Sequence, residues 1–198
     1  AEPQQYTDGD RSIDNLSFYT RLAQRLIHIL QTRTLSGPLY EVDTRLRPSG
    51  NSGLLVTSLA AFEKYQRESA WTWEHQALVR TRPVAGSERL GLAFEKLRTT
   101  LLCEARDEQK LRKEVVEMRN KMRAHLDKSN DQQFDLKHGP GGIVDIEFMV
   151  QYAALAWAQR APLIVRYTDN IRILESLTEA GLMPAHQAAH LIDAYKAY

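Results

Sequence analysis

The stretch Leu39-Tyr40-Glu41-Val42-Asp43-Thr44-Arg45-Leu46-Arg47, followed by Pro48-Ser49-Gly50-Asn51-Ser52-Gly53, decides how the front of this chain is read. Its first half alternates with period two, which predicts a strand over 39–46. Successive strand side chains point to opposite faces. Tyr40, Val42, Thr44 and Leu46 would then share a core face, with Glu41, Asp43, Arg45 and Arg47 on the other. The cluster from Pro48 to Gly53 reads as a turn, and Leu54-Leu55-Val56 as a second short strand, giving a hairpin.

Helical spacing surrounds this element. Leu16, Tyr19, Leu22, Ala23, Leu26, Ile27 and Leu30 recur at three and four, predicting one amphipathic helix before it, ended by Gly37-Pro38. After it, Ser58 is an expected N-cap for a helix to about Glu68. Further helices are expected over about 70–80, 87–103, 109–127, 143–160, 169–180 and from Pro184 to the end. Phe134 to Lys137 reads as short and extended. The expected fold class is mainly α with a small antiparallel β element. The expected division is 1–85, holding the hairpin and its flanking helices, and 86–198, a helical bundle.

Composition narrows the function classes. The chain has 198 residues, 43% hydrophobic and 26% charged, with a formal net charge of +1. That is ordinary globular composition and carries no global signal for nucleic acid or a membrane surface. No apolar run approaches the roughly 20 residues that span a bilayer. Cys103 is the single cysteine, which excludes an internal disulfide and a cysteine-based zinc site and fits a reducing cytoplasm. The six histidines show no paired ligand spacing. The start lacks Met and the final helix has no stop signal, so both ends are expected to be cuts in a longer protein.

Two acids and two arginines on one strand face can hold a cation and phosphates together. Carboxylates bind hard Mg²⁺, paired metals clamp attacking and leaving oxygens, and arginine forks neutralise a departing pyrophosphate. A solvated strand with salt bridges is the competing reading of the same pattern.

The whole segment from Leu39 to Gly53 resembles the part of glutamine synthetase adenylyltransferases that carries the third catalytic carboxylate. Three more blocks resemble that family in the same order: Ala70 to Arg80, Met118 to Arg123, and Gly141-Gly142-Ile143-Val144-Asp145-Ile146-Glu147-Phe148. The family belongs to the polymerase-beta-like nucleotidyltransferase superfamily and has two similar halves, one attaching AMP to a tyrosine and one removing it by phosphorolysis. Pro48-Ser49-Gly50 with Trp71-Thr72-Trp73-Glu74-His75-Gln76 looks like the attaching half.

The resemblance implies ATP and Mg²⁺ as reactant and cofactor, and glutamine synthetase and the PII signal protein as partners. It implies that Asp43 is a metal-site carboxylate suited to accepting the tyrosine proton, that Arg45 and Arg47 face phosphates, and that Glu41 supports them. The superfamily's Asp-x-Asp strand has no counterpart here. Asp8-Gly9-Asp10 has the spacing but sits in a polar loop, so the metal motif is expected upstream and the chain alone is expected to be inactive.

Weaker features remain. Gly139-Pro140-Gly141-Gly142 before a helix reads as a structural turn more readily than as a phosphate cradle, with Lys137 and His138 within possible reach of nucleotide. Arg112, Arg119 and Arg123 lie along one helical stripe. It reads as a solvated face, or alternatively as a surface for phosphate or an acidic partner. Trp71, Trp73, Tyr65 and Phe62 are expected to pack between helices. The alternatives to an attaching enzyme are the removing half and a helical docking module.

Overall fold

The computed structural model describes residues 5–198 and divides the chain into two compact units, Ala1–Ala70 and Trp71–Tyr198. The fold is mainly α with one small antiparallel β element.

The first unit opens with α1, Asn15–Gln31. Asp14 caps it, accepting from the Ser17 N–H at 2.8 Å, one of the donors a helix start leaves open. The helix ends at Gln31, several residues before Gly37-Pro38, and the chain turns into a two-residue hairpin. Here β1, Arg33–Thr34, pairs antiparallel with β2, Gly37–Pro38, in the register Arg33 to Pro38 and Thr34 to Gly37. Then comes α2, Leu59–Glu68, with Ser58 at its N-cap as the sequence predicts.

The small β element therefore lies before the segment expected to form it. Residues 39–47 and 54–56 form no strand. Period-two alternation gives a chain two faces, but a strand exists only when another backbone pairs its N–H and C=O groups. Among the described residues none pairs with 39–47 as a strand. The Tyr40 N–H donates to the Leu30 carbonyl at 3.0 Å, and Gln31 Nε2 to the Val42 carbonyl at 3.1 Å. The end of α1 thus takes up backbone groups a neighbouring strand would have taken. Beyond Asp43 the chain closes into turns, Arg47 N–H to Thr44 at 3.4 Å and Gly50 N–H to Arg47 at 2.9 Å.

The second unit is a helical bundle: α3 (Thr72–Val79), α4 (Glu88–Leu102), α5 (Glu108–Leu126), α6 (Ile143–Trp157), α7 (Asn170–Glu179) and α8 (Ala185–Ala197). A short 3₁₀ turn, Pro162–Val165, joins α6 to α7. Every buried hydrophobic side chain among the described residues belongs to this unit, with Val79, Leu102, Ala154, Ile164, Ile173 and Leu174 fully enclosed. Helix α6 is central, packing on α3, α5, α7 and α8. Its period places Val144, Ile146, Val150, Ala153, Ala154 and Leu155 inside.

Arg98 on α4 is 1% exposed and acts as a clasp. Its Nε donates to the Leu78 carbonyl at 3.0 Å, Nη2 to Val79 at 2.5 Å and Nη1 to Val165 at 2.8 Å. Carbonyls at the end of α3 are met by a side chain from the next helix, 19 and 20 residues on, in addition to the Thr81 N–H that Leu78 receives at 3.2 Å.

One aromatic departs from expectation. Trp71 is exposed; it sits at the N-cap of α3, where its backbone N–H donates to the Glu74 carboxylate at 2.9 Å. Trp73, Tyr65 and Phe62 are half-buried.

Candidate functional site

In the first unit the candidate site is the loop from Glu41 to Gly53. Asp43 and Arg45 meet there by local loop geometry. Arg45 Nε lies 3.0 and 2.8 Å from the two Asp43 oxygens, and Nη2 lies 2.5 Å from Oδ2. The Arg45 N–H also donates to Asp43 Oδ1 at 2.8 Å. These hydrogen bonds from Arg45, side chain first and backbone second, lower the Asp43 pKa to about 2. Both residues are exposed, the side chains 75% for Arg45 and 51% for Asp43. Glu41 is exposed as well and contributes to the field that raises the Arg45 pKa, after Asp43 itself.

Arg47 does not join them. The shared strand face that would have grouped the three is absent, and Arg47 turns into its own loop. Its Nη1 donates to the Thr44 carbonyl at 2.8 Å and to Thr44 Oγ1 at 3.0 Å, Nη2 to Asn51 at 3.2 Å, and Nε to Gly53 at 3.1 Å. The loop is tight enough to constrain its residues. A Cβ on Gly53 would fall 1.8 Å from the Pro48 carbonyl oxygen, and Ser49 sits at φ 61°, in the left-handed region. Arg47 thus holds the shape of the loop on which Asp43 is displayed.

The described residues supply two carboxylates at this site, Glu41 and Asp43, with Arg45 already on both oxygens of Asp43, and no group of three acidic, histidine or cysteine side chains able to hold a metal occurs among them. By themselves these residues do not fit a Mg²⁺ centre.

Lys137 belongs to the second unit, in the turn before α6, where its N–H donates to Asp135 Oδ1 at 2.9 Å. Of the segment read as extended, Leu136 and Lys137 lie in a turn, and no strand forms over Phe134 to Lys137. The glycines that follow allow close backbone approach: a Cβ on Gly142 would lie 2.7 Å from the Leu136 carbonyl oxygen. Asp145 occupies the place a bound anion would take at the start of α6, accepting from the Gly141 N–H at 2.7 Å.

The same carboxylate collects two arginines. Arg119 Nε donates to Asp145 Oδ1 at 2.5 Å, and Arg123 Nη2 lies 3.0 Å from each Asp145 oxygen. Burial raises the Asp145 pKa, but the Gly141 N–H and the two arginines outweigh it and hold the pKa below the ordinary value. Arg119 is 6% exposed, so it is not part of a solvated face, while Arg112 on the same stripe is exposed. Asp145 as a hub escaped the sequence reading, although an acid three residues after Gly142 is the available signal.

Comparison with known proteins divides the chain elsewhere, within the second unit between α4 and α5. Residues 1–97 match the family model described as Glutamate-ammonia ligase adenylyltransferase, and residues 109–198 the one described as GlnD PII-uridylyltransferase. Both descriptions are of nucleotidyltransferases. Three bacterial proteins, each named bifunctional glutamine synthetase adenylyltransferase/adenylyl-removing enzyme, are similar along nearly the entire chain. That of Pseudomonas putida is 56% identical, covering 100% of this chain and 21% of the relative. Those of Hahella chejuensis and Nitrosococcus oceani are 58% and 59% identical, covering 96% and 97% of this chain and 20% of each relative. The chain belongs to the glutamine synthetase adenylyltransferase family and spans about a fifth of the length of these relatives.

Proposed function

We propose that these residues form part of a nucleotidyl-transfer site in a longer cytoplasmic polypeptide that attaches AMP from ATP to a tyrosine of glutamine synthetase, with the PII protein as regulator. The observation that carries this reading is the Asp43 carboxylate, exposed and ionised above about pH 2, beside an arginine in the segment matching the adenylyltransferase family model. An acid this strong is a poor base. Accepting the tyrosine proton therefore requires Arg45 to leave Asp43, and the phosphates of ATP are the natural place for its fork to go. Arg47 keeps the loop in shape, and Glu41 adds negative potential around Arg45. The region 1–85 is read as the closing part of the nucleotidyltransferase domain, and the other metal-binding carboxylates would come from sequence outside this chain.

A feature of α1 supports a larger setting. Leu22, Leu26 and Ile29 form an exposed apolar stripe and no residue of the helix is buried, so the helix presents a face suited to packing against more protein. The test uses the longer polypeptide of the relatives' length. Asp43→Asn is expected to lower AMP attachment to glutamine synthetase by about a hundredfold or more. Attachment at the unsubstituted rate would refute the proposal. Loss of AMP removal with attachment intact would assign the chain to the removing half.

A further inference from the structure

The groove between α5 and α6 has a wall that its own residues leave incomplete. It encloses about 450 Å³, within the roughly 300–1,000 Å³ of small-molecule sites. Val115, Val116, Phe148 and Met149 give it apolar sides. Arg119 and Arg123 line one part, beside Asp145, and Arg112 and Tyr152 another. The Arg119 guanidinium donates through Nε to Asp145 and through Nη2 to the His138 carbonyl at 2.9 Å, while its Nη1 meets no acceptor. Arg123 Nε likewise meets none. A buried donor left unsatisfied costs about 1–3 kcal/mol, more when charged. Lining charges are three arginines against the single acid Asp145. Glu108, 3.4 Å from the Tyr152 hydroxyl in the adjoining depression with Arg112, offsets one of them. A positive charge remains at the Arg119 and Arg123 pair.

We propose that this groove binds a small ligand consisting of an oxyanion, phosphate or carboxylate, joined to an apolar group. The oxyanion sits against Arg119 Nη1 and Arg123 Nε, and the apolar part lies along Val115, Val116, Phe148 and Met149. Arg123, whose side chain is 31% exposed, rotates to admit it. Guanidinium forks suit either anion, and the apolar sides disfavour a bare ion. The site lies within the second unit and does not rest on the transferase reading.

The 198-residue chain, labelled with ¹⁵N, is titrated at fixed ionic strength with phenyl phosphate, benzoate, inorganic phosphate and benzyl alcohol, while the Arg119 and Arg123 Nε–H resonances are followed. Saturable shifts are expected with phenyl phosphate or benzoate, the tighter of the two identifying the anion, with weaker binding of inorganic phosphate and none of benzyl alcohol. Arg123→Gln is expected to weaken binding by about tenfold or more. Asp145→Asn removes the competing charge, keeps an acceptor for the Gly141 N–H, and is expected to tighten binding. That opposite sign keeps the test decisive should Arg123→Gln fail to fold. No saturable shift in the unsubstituted chain, equal shifts with benzyl alcohol, or an affinity unchanged by Arg123→Gln and by Asp145→Asn would overturn the proposal.

Discussion

Two pairs of arginines, one in each unit, are held in opposite ways. In the first, Arg45 and Arg47 are anchored to groups within a few residues, and no apolar side chain nearby is buried. In the second, Arg98 and Arg119 are enclosed and reach partners 19 to 67 and 19 to 26 residues away. Local ties shape a loop; distant ties hold helices together. The first kind leaves a carboxylate on display for chemistry, and the second kind specifies a bundle.

Removing one tie of each kind tests that contrast. Asp145→Ala strips Arg119 and Arg123 of their shared acceptor and leaves Arg119 buried without its counter-ion. It is expected to destabilise the bundle by about 3 kcal/mol, read by urea denaturation followed by circular dichroism. Arg47→Ala is expected to cost only about 1 kcal/mol locally, since it cuts hydrogen bonds at a partly exposed loop. Its signature is faster tryptic cleavage at Arg45 with the urea midpoint of the bundle unchanged. A matching shift in that midpoint would mean the loop is coupled to the bundle and would remove the contrast.

The smallest effect is a titration. The folded Asp43 pKa is lowered to about 2 from 3.8, so its pairing with Arg45 favours the folded loop above about pH 4 and is lost as pH falls through about 2. Carboxyl ¹³C shifts are expected to give a midpoint near 2, moving back toward 3.8 in Arg45→Gln. A normal midpoint in the unsubstituted chain would break the ion pair as described.

Helices were legible because their evidence is internal: the three-four spacing of α1 and Ser58 at the cap of α2. The strand was not, because alternation says which face a side chain takes and nothing about whether a partner backbone is there. The candidate site was half legible for the same reason. Asp43 and Arg45 are two residues apart and meet in strand or loop alike, whereas Arg47 needed the strand. Arg119 was read as solvated because it shares a helical stripe with Arg112 and Arg123, and its acceptor, Asp145, lies 26 residues on.

The Arg98 clasp bears on how the chain can be divided. Helix α3 borrows part of its end from α4, so ending the chain anywhere between Thr81 and Ser87 leaves the Val79 carbonyl without its Arg98 donor and Leu78 with backbone donors alone. A fragment stopping near residue 85 would therefore unravel from its last helix backwards, whereas one stopping at Ala70 would take nothing from the bundle's closing stitch.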